Sequence, residues 1–133
     1  MRIDGWEKML TDFIESKSAA SFQWGVHDCC LFAADCVEVI TGHDYASQLR
    51  GRYKNGREAQ EVIKEYGSME EMVSALLGAS CEVAFAHRGD VVMFDTSDGP
   101  ALGICCGKQS VFAGRTGLVY HSTIKCSAAW RIE

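Results

Sequence analysis

An α+β fold is predicted, with helices first and a curled antiparallel sheet after them. Three observations carry it. Up to about residue 78, apolar residues recur at helical spacing between capping signals. From about residue 81, short β-rich runs follow one another, separated by Gly, Asp and Ser. The gaps between those runs are too short for crossover helices, so the strands must pair mainly antiparallel. The 133 residues make one domain, 1–133, with a helical half of about 1–78 and a β half of about 81–133.

Asp4, with Glu7 three residues on, caps a first helix that carries Trp6, Leu10, Phe13 and Ile14 on one face and ends near Ser16. Asp28 is the N-cap of a second helix from about Cys29 to Thr41, stopped by Gly42. Leu31, Phe32, Ala33, Ala34, Cys36, Val37, Val39 and Ile40 cover most of its circumference, which predicts burial on more than one side. A short helix is expected over Asp44 to about Arg50. Asn55 with Glu58 caps a helix that ends at Gly67, and Ser68 with Glu71 caps a last one through Met72, Val73, Leu76 and Leu77 to Gly78. The β-rich runs are Cys81–Phe85, Asp90–Phe94, Ala101–Cys106, Ser110–Ala113, Leu118–Ser122 and Ala128–Ile132. Along Ala101–Cys106 the side chains alternate, with Ala101, Gly103 and Cys105 on one face and Leu102, Ile104 and Cys106 on the other; if the small face meets the cysteine helix, Ala33 and Ala34 can approach it closely.

Composition excludes several classes of function. With 47% hydrophobic and 23% charged residues the chain is neither disordered nor fibrous. Thirteen basic against 18 acidic residues give a net charge of -5, so no positive field gathers phosphates and no nucleic acid is expected as partner. No apolar run reaches membrane-span length and the start Met1-Arg2-Ile3-Asp4 carries no secretion signal, so no membrane partner is expected and a cytoplasmic location is expected. The seven cysteines are odd in number and include two adjacent pairs, Cys29-Cys30 and Cys105-Cys106. That spacing fits reduced thiols rather than a disulfide framework, and without a C-x-x-C no metal or other cofactor is expected.

Cys29 is the candidate for chemistry. A thiol in the first turn of a helix lies beside unpaired backbone N–H groups that stabilise its thiolate, whereas the adjoining Asp28 carboxylate opposes ionisation, so activation calls for an imidazole nearby. Cys30, Cys36, Cys105 and Cys106 are expected as small core hydrophobes. Trp24 is either a wedge that fixes the approach to the helix or a platform for substrate, with Gly25 allowing the turn after it. Asp90, after Gly89, starts a strand from a turn. Arg50, Arg52, Lys54 and Arg57 form the one basic cluster, read as a solvated face.

The run Phe22-x-Trp24-Gly25-x-x-Asp28-Cys29-Cys30-Leu31-Phe32-Ala33-Ala34-Asp35 is followed by Arg88-Gly89-Asp90-Val91-Val92-Met93-Phe94 and Ala101-Leu102-Gly103-Ile104. In that order these segments resemble the NlpC-type cell-wall cysteine peptidases of the papain-like superfamily. More narrowly, the chain is similar to a small family of domains of unknown function encoded by tailed phages and prophages. It shares with them the Trp-Gly-x-x-Asp-Cys start, Tyr53 after Arg50-Gly51-Arg52, the Gly117-Leu118 step and the closing Ala129-Trp130-Arg131. The resemblance implies a nucleophilic Cys29 facing a histidine at the start of a central strand and a polar group on the next strand. It implies attack on amide bonds of peptidoglycan peptides through a thioester. The chain departs from that pattern, with Ala101 at the histidine position and Phe112 at the polar one.

His121, near the end of a predicted strand, is the substitute base expected first. His27, two residues before Cys29, is tethered too closely for a facing geometry, and His43 and His87 look like loop residues. The candidate set is therefore Cys29 and His121 as catalytic residues, with Trp24 and Asp28 at the substrate. Two functions follow from the resemblance. One is a catalytically degraded module that binds a cell-wall peptide or a phage tail protein, in the host cytoplasm or within a virion. The other is an active cysteine hydrolase. A general base is worth typically 100-fold to 10,000-fold in rate, so its loss favours the first.

Overall fold

A computed structural model describes residues 1–133. Four helices precede a five-stranded antiparallel sheet: α1 (Trp6–Ser16), α2 (Cys29–Thr41), α3 (Gly56–Tyr66), α4 (Met69–Leu77), then β1 (Val91–Thr96), β2 (Gly99–Cys105), β3 (Gln109–Ala113), β4 (Leu118–Ser122) and β5 (Ala128–Trp130). The strands lie in the order β4-β3-β2-β1-β5, and every pairing is antiparallel. The class is α+β. No helix is long and apolar enough to cross a membrane.

Local chemistry explains most element ends. Asp28 caps α2 through Leu31 N–H, Asn55 caps α3 through Glu58 N–H, and Ser68 caps α4 through Glu71 N–H, each side-chain oxygen taking a donor the helix leaves free. Gly42, in the left-handed conformation at φ 78°, ends α2. Three expectations are corrected. The first helix starts one residue later than expected, from Gly5 in a left-handed conformation, and Asp4 makes no cap. Residues 44–50 form turns rather than a helix: Asp44 spends its carboxylate on Ala46 N–H and on Arg50, which holds the backbone in a tight bend. Cys81–Phe85 is no strand, because only Cys81 pairs, in a bridge to Ala129, before the chain coils into a single 3-10 turn at Val83–Phe85.

The sheet separates two apolar layers. The larger cluster, of 26 buried residues, lies between the helices and one sheet face; it joins Leu31, Phe32, Ala33, Ala34 and Ile40 of α2 to Leu102, Ile104 and Val111. The smaller, on the opposite face, comprises Val92, Cys105, Phe112, Cys126 and Ala129, with Phe94 and Ala101 against it. It is the large face of β2 that meets α2, so the condition for close approach of its small face is not met. Its large residues, Leu102 and Ile104, meet the small alanines of α2, while its small residues turn away. Gly103 is needed on that far side, since a Cβ there would run into Val111 O and the ring of Phe112. Fully buried Ala33 and Ala34 give α2 a low face that bulky strand residues fill, which satisfies close packing with either element supplying the volume.

Asp90 anchors the end of the fold. Its carboxylate, 1% exposed, accepts from Ile132 N–H, His87 N–H and Arg2, tying the first residues to the last. The arginines of the basic cluster are paired: Arg50 with Asp35 and Asp44, Arg52 with Glu65, and Arg57 with Glu61.

Candidate functional site

Cys29 opens α2 and lies half-buried in the wall of a cavity of about 590 Å³. The floor is buried and apolar, made by Leu49, Ala59, Val62, Met69 and Met72. Exposed Gln60, Asp98, Pro100 and Arg115 form the rim, the last three from the β1–β2 turn, the start of β2 and the loop after β3. Such a site, mostly apolar with a few polar groups at its mouth, suits an uncharged or apolar segment of a ligand. Trp24, 40% exposed, stands in the wall beside Phe22, Cys30 and Tyr53.

The approach to α2 is built around Asp28. Its carboxylate accepts from Leu31 N–H at 2.9 Å, Gly25 N–H at 2.9 Å and the Tyr53 hydroxyl at 2.8 Å. Asp28 is 1% exposed and takes no part in the cavity wall, so the expectation of a substrate contact is corrected: its carboxylate fixes the turn before α2. Gly25 is required there twice over. Its φ is +80°, and a Cβ would stand 2.5 Å from Tyr53 O. Trp24 in turn lies edge-on to Phe22 and Tyr53, with centroids at 4.9 and 6.5 Å.

Electrostatics split the two neighbouring thiols. The Cys30 thiol, then the Leu102 and Cys30 backbone N–H groups, favour the Cys29 thiolate and bring its pKa below the ordinary thiol value, against burial and the Asp28 charge. Cys30 moves well up, because its proton serves Cys29 and because it is buried. Burial and the Asp28 charge also push the Tyr53 hydroxyl well above its usual range, so it stays a donor.

No histidine lines the cavity. His121 is on the far face of the sheet, its ring stacked on Phe94 at 3.9 Å and 9° and edge-on to Phe112 at 5.3 Å. Phe94 and Phe112 belong to the cluster that α2 does not touch, so the sheet stands between His121 and Cys29, and the structure does not bring the expected base to the thiol. The cause is parity: His121 pairs with Ser110 and alternates with Leu118 and Tyr120, whereas Leu118 packs on the helical side. His27 is buried against Phe32, at 5.6 Å between centroids, with Nε2 unpartnered; burial lowers its pKa. His43 lies at the opposite end of α2, and exposed His87 stands 4.0 Å from Asp90. Ala101 does border the cavity, at the start of its strand, while Phe112 is packed on the far side.

Sequence reasoning missed the α3 and α4 contribution to the floor and the rim residues Asp98 and Arg115. Their only signal was amphipathic helical spacing and a turn, neither of which says which elements enclose a space. No group of three or more His, Cys, Asp or Glu residues is placed to hold a metal ion. A family model described as Domain of unknown function (DUF6950) matches residues 1–132. No curated protein matches the chain.

Proposed function

The chain belongs to the DUF6950 family over nearly its whole length, and we propose that it is a binding module on an NlpC-type, papain-like plan whose cavity holds a peptide without cleaving it. The observation that carries this reading is the company of Cys29: a thiol in an apolar cavity with no imidazole in the wall. A cysteine hydrolase needs a group that accepts the thiol proton and returns it to the leaving amine. Asp98 and Arg115 at the rim are the ionisable side chains besides the thiols and Tyr53 that border the space, and neither is an imidazole. The ligand fits as an extended peptide that places an apolar side chain on the Leu49, Val62 and Met72 floor. Resemblance nominates a cell-wall stem peptide or a segment of a phage tail protein, with the module acting in tail assembly.

Hydrolysis by Cys29 is the second reading, favoured by the lowered thiol pKa. One experiment separates the two. Stem-peptide fragments and overlapping tail-protein peptides are titrated while the fluorescence of Trp24 is followed, with Trp24→Phe as the signal control. Binding that survives Cys29→Ser and is lost in Ile63→Phe, which fills part of the cavity without adding a second indole, supports the module. Release of an amine product that disappears with Cys29→Ser establishes the hydrolase instead.

A further inference from the structure

We propose, resting on the reading of the cavity as a peptide site, that the peptide is short and free at both ends: Arg115 holds its carboxylate, Asp98 its ammonium, and the floor an apolar side chain. Two charged side chains border the cavity, one of each sign, and both stand on the strand side of its mouth. The β2–β3 pairing sets Gly103 opposite Phe112; carried three residues on, the same register sets Pro100 opposite Arg115, beside the β1–β2 turn that carries Asp98. The two charges are thus neighbours at one end of the sheet. Arg2, Arg50, Arg52 and Arg57 each pair with a carboxylate of the fold, whereas Arg115 and Asp98 pair neither with each other nor with another side chain.

The backbone beneath them is held in place. Thr96 Oγ1 donates to Gly99 O at 2.6 Å and accepts from Asp98 N–H at 3.1 Å, which fixes the β1–β2 turn. Arg115 O accepts from Phe22 N–H at 3.2 Å, and Gly114 N–H donates to Gly117 O at 2.9 Å, which fixes the loop after β3. Binding therefore has two side chains to order and no loop. A cation and an anion over an apolar floor are complemented by a molecule that carries the opposite pair and an apolar group. A net anion would meet Asp98 and the chain's overall charge of -5, and a net cation would meet Arg115. A zwitterion meets neither obstacle, because each of its ends faces the opposite charge. The interior of a long peptide presents only neutral amides here and leaves both rim charges unanswered. A free peptide of about two residues brings carboxylate, ammonium and side chain together, and a cavity of about 590 Å³ is in the range for a ligand of that kind. Buried Leu49, Val62 and Met72 receive the side chain.

Calorimetric titration of the full chain with Leu-Leu, N-acetyl-Leu-Leu and Leu-Leu-amide is the test. The free dipeptide should bind about tenfold more tightly than either blocked form. In Arg115→Gln the free and amidated dipeptides should bind alike while acetylation still weakens binding; in Asp98→Asn the reverse should hold. Both side chains are exposed, so thermal melts of the two variants should match the parent. Equal binding of the three ligands overturns the proposal, and so does a free dipeptide that binds both variants as tightly as the parent. If a longer peptide binds in the cavity and blocking its ends changes nothing, the class of peptide falls while the binding module stands. If neither the dipeptides nor the longer peptides bind, both fall together.

Discussion

The hydroxyl of Tyr53 donates to Oδ2 of Asp28 at 2.8 Å, joining a loop residue to the cap of the most buried helix. The bond matters because Asp28 is buried, and a buried carboxylate that loses a donor is left partly unsatisfied. Tyr53→Phe should therefore cost about 1 to 3 kcal/mol in urea unfolding, and Asp28→Ala at least as much, since it also removes the cap. A change below ~0.5 kcal/mol in Tyr53→Phe would show that Gly25 and Leu31 satisfy the carboxylate alone.

The same hydroxyl sets an alkaline limit. Its folded pKa is raised, as is that of Tyr45, so the stability both contribute is complete below the unfolded value near 10 and falls as pH rises beyond it. Unfolding followed between pH 8 and 11.5 should show a decline that starts near pH 10, and Tyr53→Phe should shallow it. An equally steep decline in the variant would assign the limit elsewhere.

His27 predicts an acid effect of opposite sense. Burial lowers its pKa, so the neutral form is the one the fold holds; stability is complete above the unfolded value of about 6.5 and is lost as pH falls through the lower folded one. Comparing urea midpoints at pH 7.5 and 5, His27→Leu should lose less than the parent protein. Equal losses would exclude His27 as the source.

Cys29 should alkylate first among the seven thiols. Mass mapping after brief iodoacetamide exposure at pH 7 should find Cys29 modified while Cys30 remains free, and Cys30→Ala should move the Cys29 pH profile upward by removing its main stabilising neighbour. A profile unchanged by Cys30→Ala would leave the helix start and Leu102 as the cause.

Two glycines with nearly the same φ separate strain from crowding. Gly5, at +79°, has open space around it, whereas Gly25, at +80°, faces Tyr53 O. Gly5→Ala should cost about 1 kcal/mol, and Gly25→Ala more than about 2 kcal/mol, because the strain is joined by backbone displacement. Thermal melts of the two variants give the comparison directly.

What was legible in the sequence was mostly local. Asp28, Asn55 and Ser68 announced helix starts because capping depends on a few adjacent residues, and α2 runs over Cys29–Thr41 as its cap and Gly42 dictate. The strands from β1 to β5 fell close to their β-rich runs. Which face of β2 meets α2 was not legible, since alternation defines two faces without naming the neighbour of either, and His121 went to the wrong side for the same reason. Residues 44–50 misled because Ala46 and Leu49 are buried at near-helical spacing, whereas the Asp44–Arg50 ion pair closes a turn. The cavity was hidden because its wall gathers residues from Phe22 to Arg115, and only tertiary structure brings them together.

The division of the apolar interior by the sheet gives the molecule two built-in reporters. Cys36 lies sealed among the helices and Cys126 is buried behind the strands, so each guards a different compartment. The rear compartment rests on five buried residues, the front on 26. The rates at which a disulfide reagent captures Cys126 and Cys36 then measure separately how often each side breathes.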